Sequence, residues 1–335
     1  MIEEYDLELE KLINEIKKRG LKRVGIQLPS GMINKAKNII EEIERCVDTE
    51  VIVSGKPLWG ACDIDKNLIA LGAELIFQFG HFPIRKLKTP IPIIYIPLRA
   101  KVDVDSIVEK IKKISKKGSI GLLTTPQFSY LPQILRKKIK KMKFYSCNVL
   151  GCDYSHLRKI EKRVLFFLYI GTGTFHPVGA ALSTKKKVLA FDPYTNEIKD
   201  MEEMKKNFLR KRWAVIESSK SAERFGIILS IKQGQLRFEL AKRIKKNLNE
   251  NGKKAFIIAT DEVLPEELSY FDVDAFVNTA CPRIAIDDAL RFKKPILTHI
   301  ELEILLGIRD WKDWMIDEIS SGSFTNSSSY LEHPI

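Results

Sequence analysis

Cysteine is the residue type in this sequence with the widest chemical reach, and there are five: Cys46, Cys62, Cys147, Cys152 and Cys281. A thiolate can ligate a soft metal or act as a nucleophile, and two thiols can pair as a disulfide. The five are too few and too scattered for a secreted disulfide framework, which leaves buried thiols, a metal site or a catalytic thiolate. Cys62 and Cys152 share a setting, Gly60-Ala61-Cys62-Asp63 and Gly151-Cys152-Asp153, in which a glycine permits the tight backbone path that a bulky inorganic group requires. Cys281 precedes Pro282, a pairing that also occurs in iron–sulfur ligand runs. Cys147 reads as the end of a strand and Cys46 as the close of a helix, so both are taken as structural. Spacing alone leaves three chemistries open: inert thiols, a zinc site completed by a histidine, and an iron–sulfur cluster.

The elements that must carry these residues recur three times. Short apolar runs stand at Lys22–Leu28, Ser119–Thr124 and Arg224–Ser230, each followed by an amphipathic stretch predicted as helix: Ile33–Ile43, Leu131–Ile139 and Leu236–Leu248. Further apolar runs follow at Val51–Val53, Phe144–Tyr145 and Ala255–Ile258. Alternation of apolar runs with helical patterns predicts βαβ units and parallel sheets. The expected fold is therefore α/β, with three similar βαβ-type domains at residues 1–98, 99–193 and 194–335.

Each copy holds one candidate cysteine: Cys62, Cys152 and Cys281 lie 37, 31 and 55 residues after Gly25, Gly121 and Gly226. The longer third interval contains an extra helix-like stretch, Leu264–Tyr270, and a further apolar run, Ala275–Val277, so the third cysteine need not follow the equivalent strand. Histidines recur too, with His81, His176 and His299 standing 19, 24 and 18 residues after their cysteines. In parallel α/β sheets the loops at the carboxyl ends of strands bind ligands, so three such sheets facing one another direct these loops at a shared centre. One cysteine per copy favours a cubane held by three thiolates, which leaves one iron open to substrate.

Composition excludes several classes. Hydrophobic residues at 44% and charged residues at 30% describe an ordinary soluble chain, and no apolar run approaches the ~20 residues needed to span a bilayer. The acidic start does not read as a leader peptide, and a cytoplasmic location is expected. The net charge of +13 suits an acidic partner or a nucleic acid, although runs such as Lys137, Lys138, Lys140, Lys141 and Lys143 also read as a solvated helix face. Without interleaved aromatics or a known RNA-binding module, a nucleic-acid role is not expected. Gly171-Thr172-Gly173-Thr174 resembles the start of a dinucleotide loop, but Phe175, His176 and Pro177 stand where the third glycine and helix start belong. The polar run Ser320–Ser329 reads as a loose tail.

Several stretches together resemble the diphthamide-synthesis family, in its archaeal branch of 2-(3-amino-3-carboxypropyl)histidine synthases. They are Gly25–Gly31, Trp59–Asp63, Leu150–Cys152, Gly171–Pro177, Gly234-Gln235 and Asn278–Arg283, spread over nearly the whole chain. The resemblance implies three like domains around one [4Fe–4S] cluster ligated by Cys62, Cys152 and Cys281. It implies S-adenosylmethionine as co-substrate, a histidine of translation elongation factor 2 as acceptor, an external electron donor and a homodimer. A reduced cluster would cleave the sulfonium to release a 3-amino-3-carboxypropyl radical, with no catalytic side chain beyond the cluster. His176, Gln235 and Arg283 fall in the matched motifs as candidates to bind S-adenosylmethionine, Arg283 through its carboxylate. Two other readings compete: a quinolinate synthase-like enzyme using its cluster as a Lewis acid, and a basic RNA-binding protein with a structural metal.

Overall fold

Most of the apolar runs become parallel strands covered on both faces, which is why they read as continuous rather than alternating hydrophobic stretches. A computed structural model of the chain describes residues 5–84, 87–115 and 117–319, and the expected tail at 320–329 lies outside the described residues. The fold is α/β, with three mostly parallel sheets and a short two-stranded ribbon.

The first region comprises β1 (Tyr5–Asp6), α1 (Leu9–Arg19), β2 (Arg23–Gln27), α2 (Ala36–Cys46), β3 (Glu50–Val53), α3 (Lys66–Ala70), β4 (Leu75–Phe79), β5 (Ile93–Ile96) and β6 (Arg99–Ala100). Its sheet runs β3-β2-β4-β5. The second comprises α4 (Val104–Ile114), β7 (Gly118–Thr124), α5 (Leu131–Lys138), β8 (Met142–Asn148), α6 (Ser155–Ile160), β9 (Phe166–Ile170), α7 (Phe175–Leu182), β10 (Val188–Asp192) and β11 (Glu197–Asp200). Its sheet runs β8-β7-β9-β10-β11, with β11 antiparallel. The third comprises α8 (Glu202–Ser218), β12 (Arg224–Ser230), α9 (Phe238–Glu250), β13 (Lys254–Thr260), α10 (Pro265–Leu268), β14 (Ala275–Asn278), α11 (Pro282–Ile286), β15 (Ile296–Thr298) and α12 (His299–Leu305). Its sheet runs β13-β12-β14-β15. In all three sheets the first strand lies between the second and the third, and the fourth flanks the third.

Helices bury stripes spaced three or four residues apart, as amphipathic helices must. Leu12 and Ile16 of α1 and Ile39 and Ile43 of α2 meet Val24, Ile26 and Phe77 on one face of the first sheet. Leu68 and Ile76 fill the other face. Each such side chain removed from water contributes roughly 1.5–3 kcal/mol before entropy is charged against it. The second sheet is covered likewise by two clusters, as is the third. The ribbon of β1 and β6 joins two of these bodies: Tyr5 pairs with Ala100 and packs against both the first and the second core.

The three strand glycines share one environment. Gly25, Gly121 and Gly226 are register partners of Ile76, Phe167 and Phe276 on the neighbouring third strand. Phe167 lies where a Cβ on Gly121 would go, and an atom of Phe276 stands 2.9 Å from a Cβ built on Gly226. A methyl group at these positions would compete with a side chain that fills the face of its own sheet.

Expectation and structure differ in places. The helix expected from Ile33 begins at Ala36, because Ser30–Lys35 winds as a 3-10 turn. The stretch Leu264–Tyr270 is helical only over Pro265–Leu268. Helix α7 does begin at Phe175, since Pro177 falls in the first turn, where backbone N–H groups have no partner within the helix. Among the described residues no helix is long and apolar enough to cross a membrane.

Replacing Gly121 by alanine is expected to cost about 1–3 kcal/mol in denaturant unfolding through overpacking against Phe167. Gly25→Ala should cost less, because its nearest neighbour is the flexible end of Leu68 at 3.0 Å.

Candidate metal centre

Parallel strands deliver their carboxyl ends to the same side, and the three candidate cysteines sit in loops that leave those ends. Cys62 lies in the loop after β3, Cys152 in the loop after β8, and Cys281 immediately before α11, in the loop after β14. The third cysteine thus follows the third strand of its sheet, not the second. His81 and His176 follow β4 and β9, while His299 follows β15, so cysteine and histidine both move one strand along in the third region.

The three sulfurs lie within electrostatic reach of one another. Burial pushes the Cys152 thiol far up, and ionised Cys281 and Cys62 would push it further. Burial and the Cys62 sulfur raise Cys281 to about 12, against the opposing effects of Arg283 and Arg237. Cys62 is raised mainly by burial, while the Gln235 amide favours its thiolate. Such a set stays protonated until a cationic group compensates it. Among the described residues no three His, Cys, Asp or Glu side chains stand close enough to hold a single ion. A tetrahedral zinc with bonds of about 2.3 Å would need its sulfurs nearly in contact. A multi-iron cluster spreads its thiolates around a larger body, and this all-sulfur donor set is the kind it takes.

Local interactions fix each loop. Asp63 N donates to the Gly60 carbonyl (2.9 Å), closing a tight turn around Cys62. The Asp63 carbonyl accepts from Gln27 Nε2 (2.9 Å) and its carboxylate meets Lys232 Nζ (2.7 Å). Gln27 and its register partner Gln78 are buried at the ends of β2 and β4, and both keep a side-chain oxygen without a partner. The loop after β12 presses onto the same turn: a Cβ on Gly234 would stand 2.5 Å from Cys62 Cβ, and Gln235 Nε2 donates to Cys62 Sγ (3.2 Å). Gly151 adopts φ 78°, a left-handed conformation that suits glycine, and Phe175 occupies the space a side chain there would need.

Arg237 grips the backbone ahead of Cys281, donating from Nε to the Thr279 carbonyl (2.7 Å) and from Nη2 to that of Ala280 (2.8 Å). Asn278 Nδ2 donates to the carbonyl of Cys281 itself (2.9 Å).

The candidate binding residues are distributed around this centre. His176 is held neutral, its pKa lowered to about 4 by burial and then by Arg283 and His81, and its Nδ1 has no partner. Burial likewise lowers His81 to about 4. His299 stands apart from these two, with Nδ1 3.4 Å from Asp317 Oδ1. Arg283 pairs with Asp287 (2.7 Å) and lies over the Phe175 ring, 4.8 Å from its centroid. Cys46 ends α2 beside Glu42, and Cys147 packs into the second sheet's core, where burial raises its thiol to about 12.

Two cavities differ in relevance. The larger, about 490 Å³ between Glu161 and Trp314, contains none of the cysteines, whereas one of about 280 Å³ opens beside Cys62 and includes Gln27, Asp63 and Lys232. Sequence reasoning missed Gln27, Lys232, Arg237 and Asp317. Gln27 could have been noticed as a polar residue closing an apolar run, and Arg237 by standing two residues from Gln235. Asp317 gave no signal.

Comparison with known proteins locates this arrangement. A family model described as "Putative diphthamide synthesis protein" matches residues 28–316. The chain is 36% identical over 333 residues to the 2-(3-amino-3-carboxypropyl)histidine synthase of Pyrococcus horikoshii, covering 95% of each. It is 30% identical over 341 residues to the protein of that name from Methanocaldococcus jannaschii, covering 96% of this chain and 95% of the relative. It resembles the crystal structure of Dph2 from Pyrococcus horikoshii with a 4Fe-4S cluster, with TM-score 0.82 and 35% identity over 97% of both chains.

Gly234→Ala is expected to displace the Cys62 turn while leaving the three sheets folded. Iron and sulfide per chain after anaerobic reconstitution should fall well below wild type, with far-ultraviolet circular dichroism unchanged.

Proposed function

The chain belongs to the diphthamide-synthesis protein family, and on that premise we propose that it transfers the 3-amino-3-carboxypropyl group of S-adenosylmethionine to a histidine of translation elongation factor 2. The observation that carries this reading is that three part-buried thiols, one from a loop at the carboxyl end of a strand in each sheet, lie within electrostatic reach of one another. Cys62, Cys152 and Cys281 are the residues we assign to hold a [4Fe–4S] cluster, the group named for the Pyrococcus horikoshii protein of similar fold. When bound, such a cluster supplies one-electron reduction and an iron free of protein ligands.

The chain's own residues bind, orient and shield. Gln235 donates to the Cys62 sulfur, and hydrogen bonds of this kind tune a cluster. His176, neutral and with Nδ1 unpartnered, offers its imidazole to a polar group of S-adenosylmethionine. Arg283, half-exposed and steadied by Phe175, offers a guanidinium to the carboxylate, for which Asp287 serves as the resting partner. Burial of the three loops keeps water from the reacting centre.

The shared strand order supports three domains built to one plan around the cluster. We place one division near residues 98 and 99. The division expected at 193 and 194 falls in the turn of the β10–β11 hairpin, so the second unit extends through Asp200. The net charge of +13 supports electrostatic steering of an acidic protein acceptor. A homodimer, an external electron donor and a cytoplasmic setting complete the proposal, on the strength of the family resemblance. The family match displaces the quinolinate synthase and RNA-binding readings.

Anaerobically purified protein should be brown, with a dithionite-induced [4Fe–4S] paramagnetic resonance signal. The signal should disappear in Cys62→Ala, Cys152→Ala and Cys281→Ala and persist in Cys46→Ala and Cys147→Ala; a colourless zinc protein would refute the assignment. Arg283→Ala should weaken S-adenosylmethionine binding by roughly tenfold or more, the worth of a hydrogen bond to a charged group. Calorimetry giving a wild-type Kd would remove Arg283 from the carboxylate role.

A further inference from the structure

Two cysteine loops from different sheets are gripped by one short stretch of chain. Residues 314–319 follow the 3-10 turn Trp311–Asp313 and run without regular structure. Asp317, 1% exposed, takes a two-pronged ion pair from Arg237, 4% exposed, with Nη1 to Oδ1 at 2.7 Å and Nη2 to Oδ2 at 2.8 Å. The same guanidinium holds the Thr279 and Ala280 carbonyls, immediately before Cys281. The next two residues turn to the other loop. Glu318 accepts from Tyr154 N (3.1 Å) and meets Arg158 with both oxygens, at 2.6 and 2.9 Å. Ile319 N donates to the carbonyl of Cys152 (2.9 Å).

Burial of a charge pair adds little stability over well-packed apolar residues, because desolvation offsets the attraction. What the fork supplies is direction. It satisfies two carbonyls and one carboxylate from a single rigid plane, and no apolar side chain could hold those three groups in fixed relation. A second buried arginine ties in the start of the strap: Arg212 donates to the Ala285 carbonyl near the end of α11 and pairs with Glu301, which also accepts from Trp314 Nε1 (3.3 Å). The strap is thereby anchored at both ends.

We infer that Arg237, Asp317 and Glu318 are positioning residues, which make residues 314–319 a strap holding the Cys152 and Cys281 loops in register so that both sulfurs face one centre. The purpose of the strap rests on the cluster assignment above; its geometry does not.

The full chain and its Asp317→Asn, Arg237→Lys and Glu318→Gln variants would be compared anaerobically by hydrogen–deuterium exchange and by a redox titration followed by paramagnetic resonance. Asp317→Asn should speed exchange in the peptides of both loops by about tenfold or more while amides inside β12 and β14 keep their protection. It should also shift the midpoint potential or the g-values of the reduced cluster. Glu318→Gln should loosen the Cys152 loop alone, and Arg237→Lys, which keeps charge without the fork, should loosen the Cys281 loop. Wild-type exchange at both loops with a wild-type spectrum overturns the inference. Should Asp317→Asn fail to fold, Glu318→Gln decides, since it leaves the buried pair intact; a Cys152 loop still fully protected in that variant overturns the strap. A wild type that takes up no cluster, yet whose variants loosen as described, removes the functional reading and upholds the strap. A normal cluster with rigid loops in every variant does the reverse.

Discussion

Three part-buried thiols from three sheets each disfavour ionisation of another, and several polar contacts hold the loops that carry them. No local sequence motif can bring them together, because the cysteines are separated by 90 residues in one interval and 129 in the other. The three cysteines instead leave the carboxyl ends of parallel strands in three mostly parallel sheets. Backbone carbonyls in the irregular loops at those ends are then satisfied by buried side chains, the Gln27 amide at Asp63 and the Arg237 guanidinium at Thr279 and Ala280.

Packing and chemistry meet at glycines for two separate reasons. Within the sheets, Gly121 yields its volume to Phe167, which keeps a large ring in the core without bending the strand. Between regions, Gly234 yields its volume to Cys62, so that a loop of the third region can close over the Cys62 turn of the first. The second kind of contact docks the third region onto the first.

Much of this was legible in the sequence, and the parts that were not share a cause. The strands over Arg224–Ser230 and Ala275–Asn278 follow directly from continuous apolar runs, and one cysteine per copy singled out a loop beside each sheet. Boundaries went astray where local and tertiary demands competed, as at Ser30–Lys35, whose 3-10 winding delays α2. Arg237 and Asp317 could not be paired from sequence because 80 residues separate them and neither interrupts a periodic pattern. Patterns report what an element buries, whereas long-range ion pairs report how elements are docked.

The order in which the polypeptide emerges during synthesis gives the strap a further consequence. Cys62 and Cys152 are made early, yet the backbone bond that holds the Cys152 loop comes from Ile319. A nascent chain still short of that residue can already hold the Cys62 turn through Gln27, Lys232 and Gln235, but lacks the Ile319 bond to the Cys152 carbonyl. Docking of the Cys152 loop therefore waits on almost the last of the described residues, and the loop cannot gain this bond until Ile319 has left the ribosome.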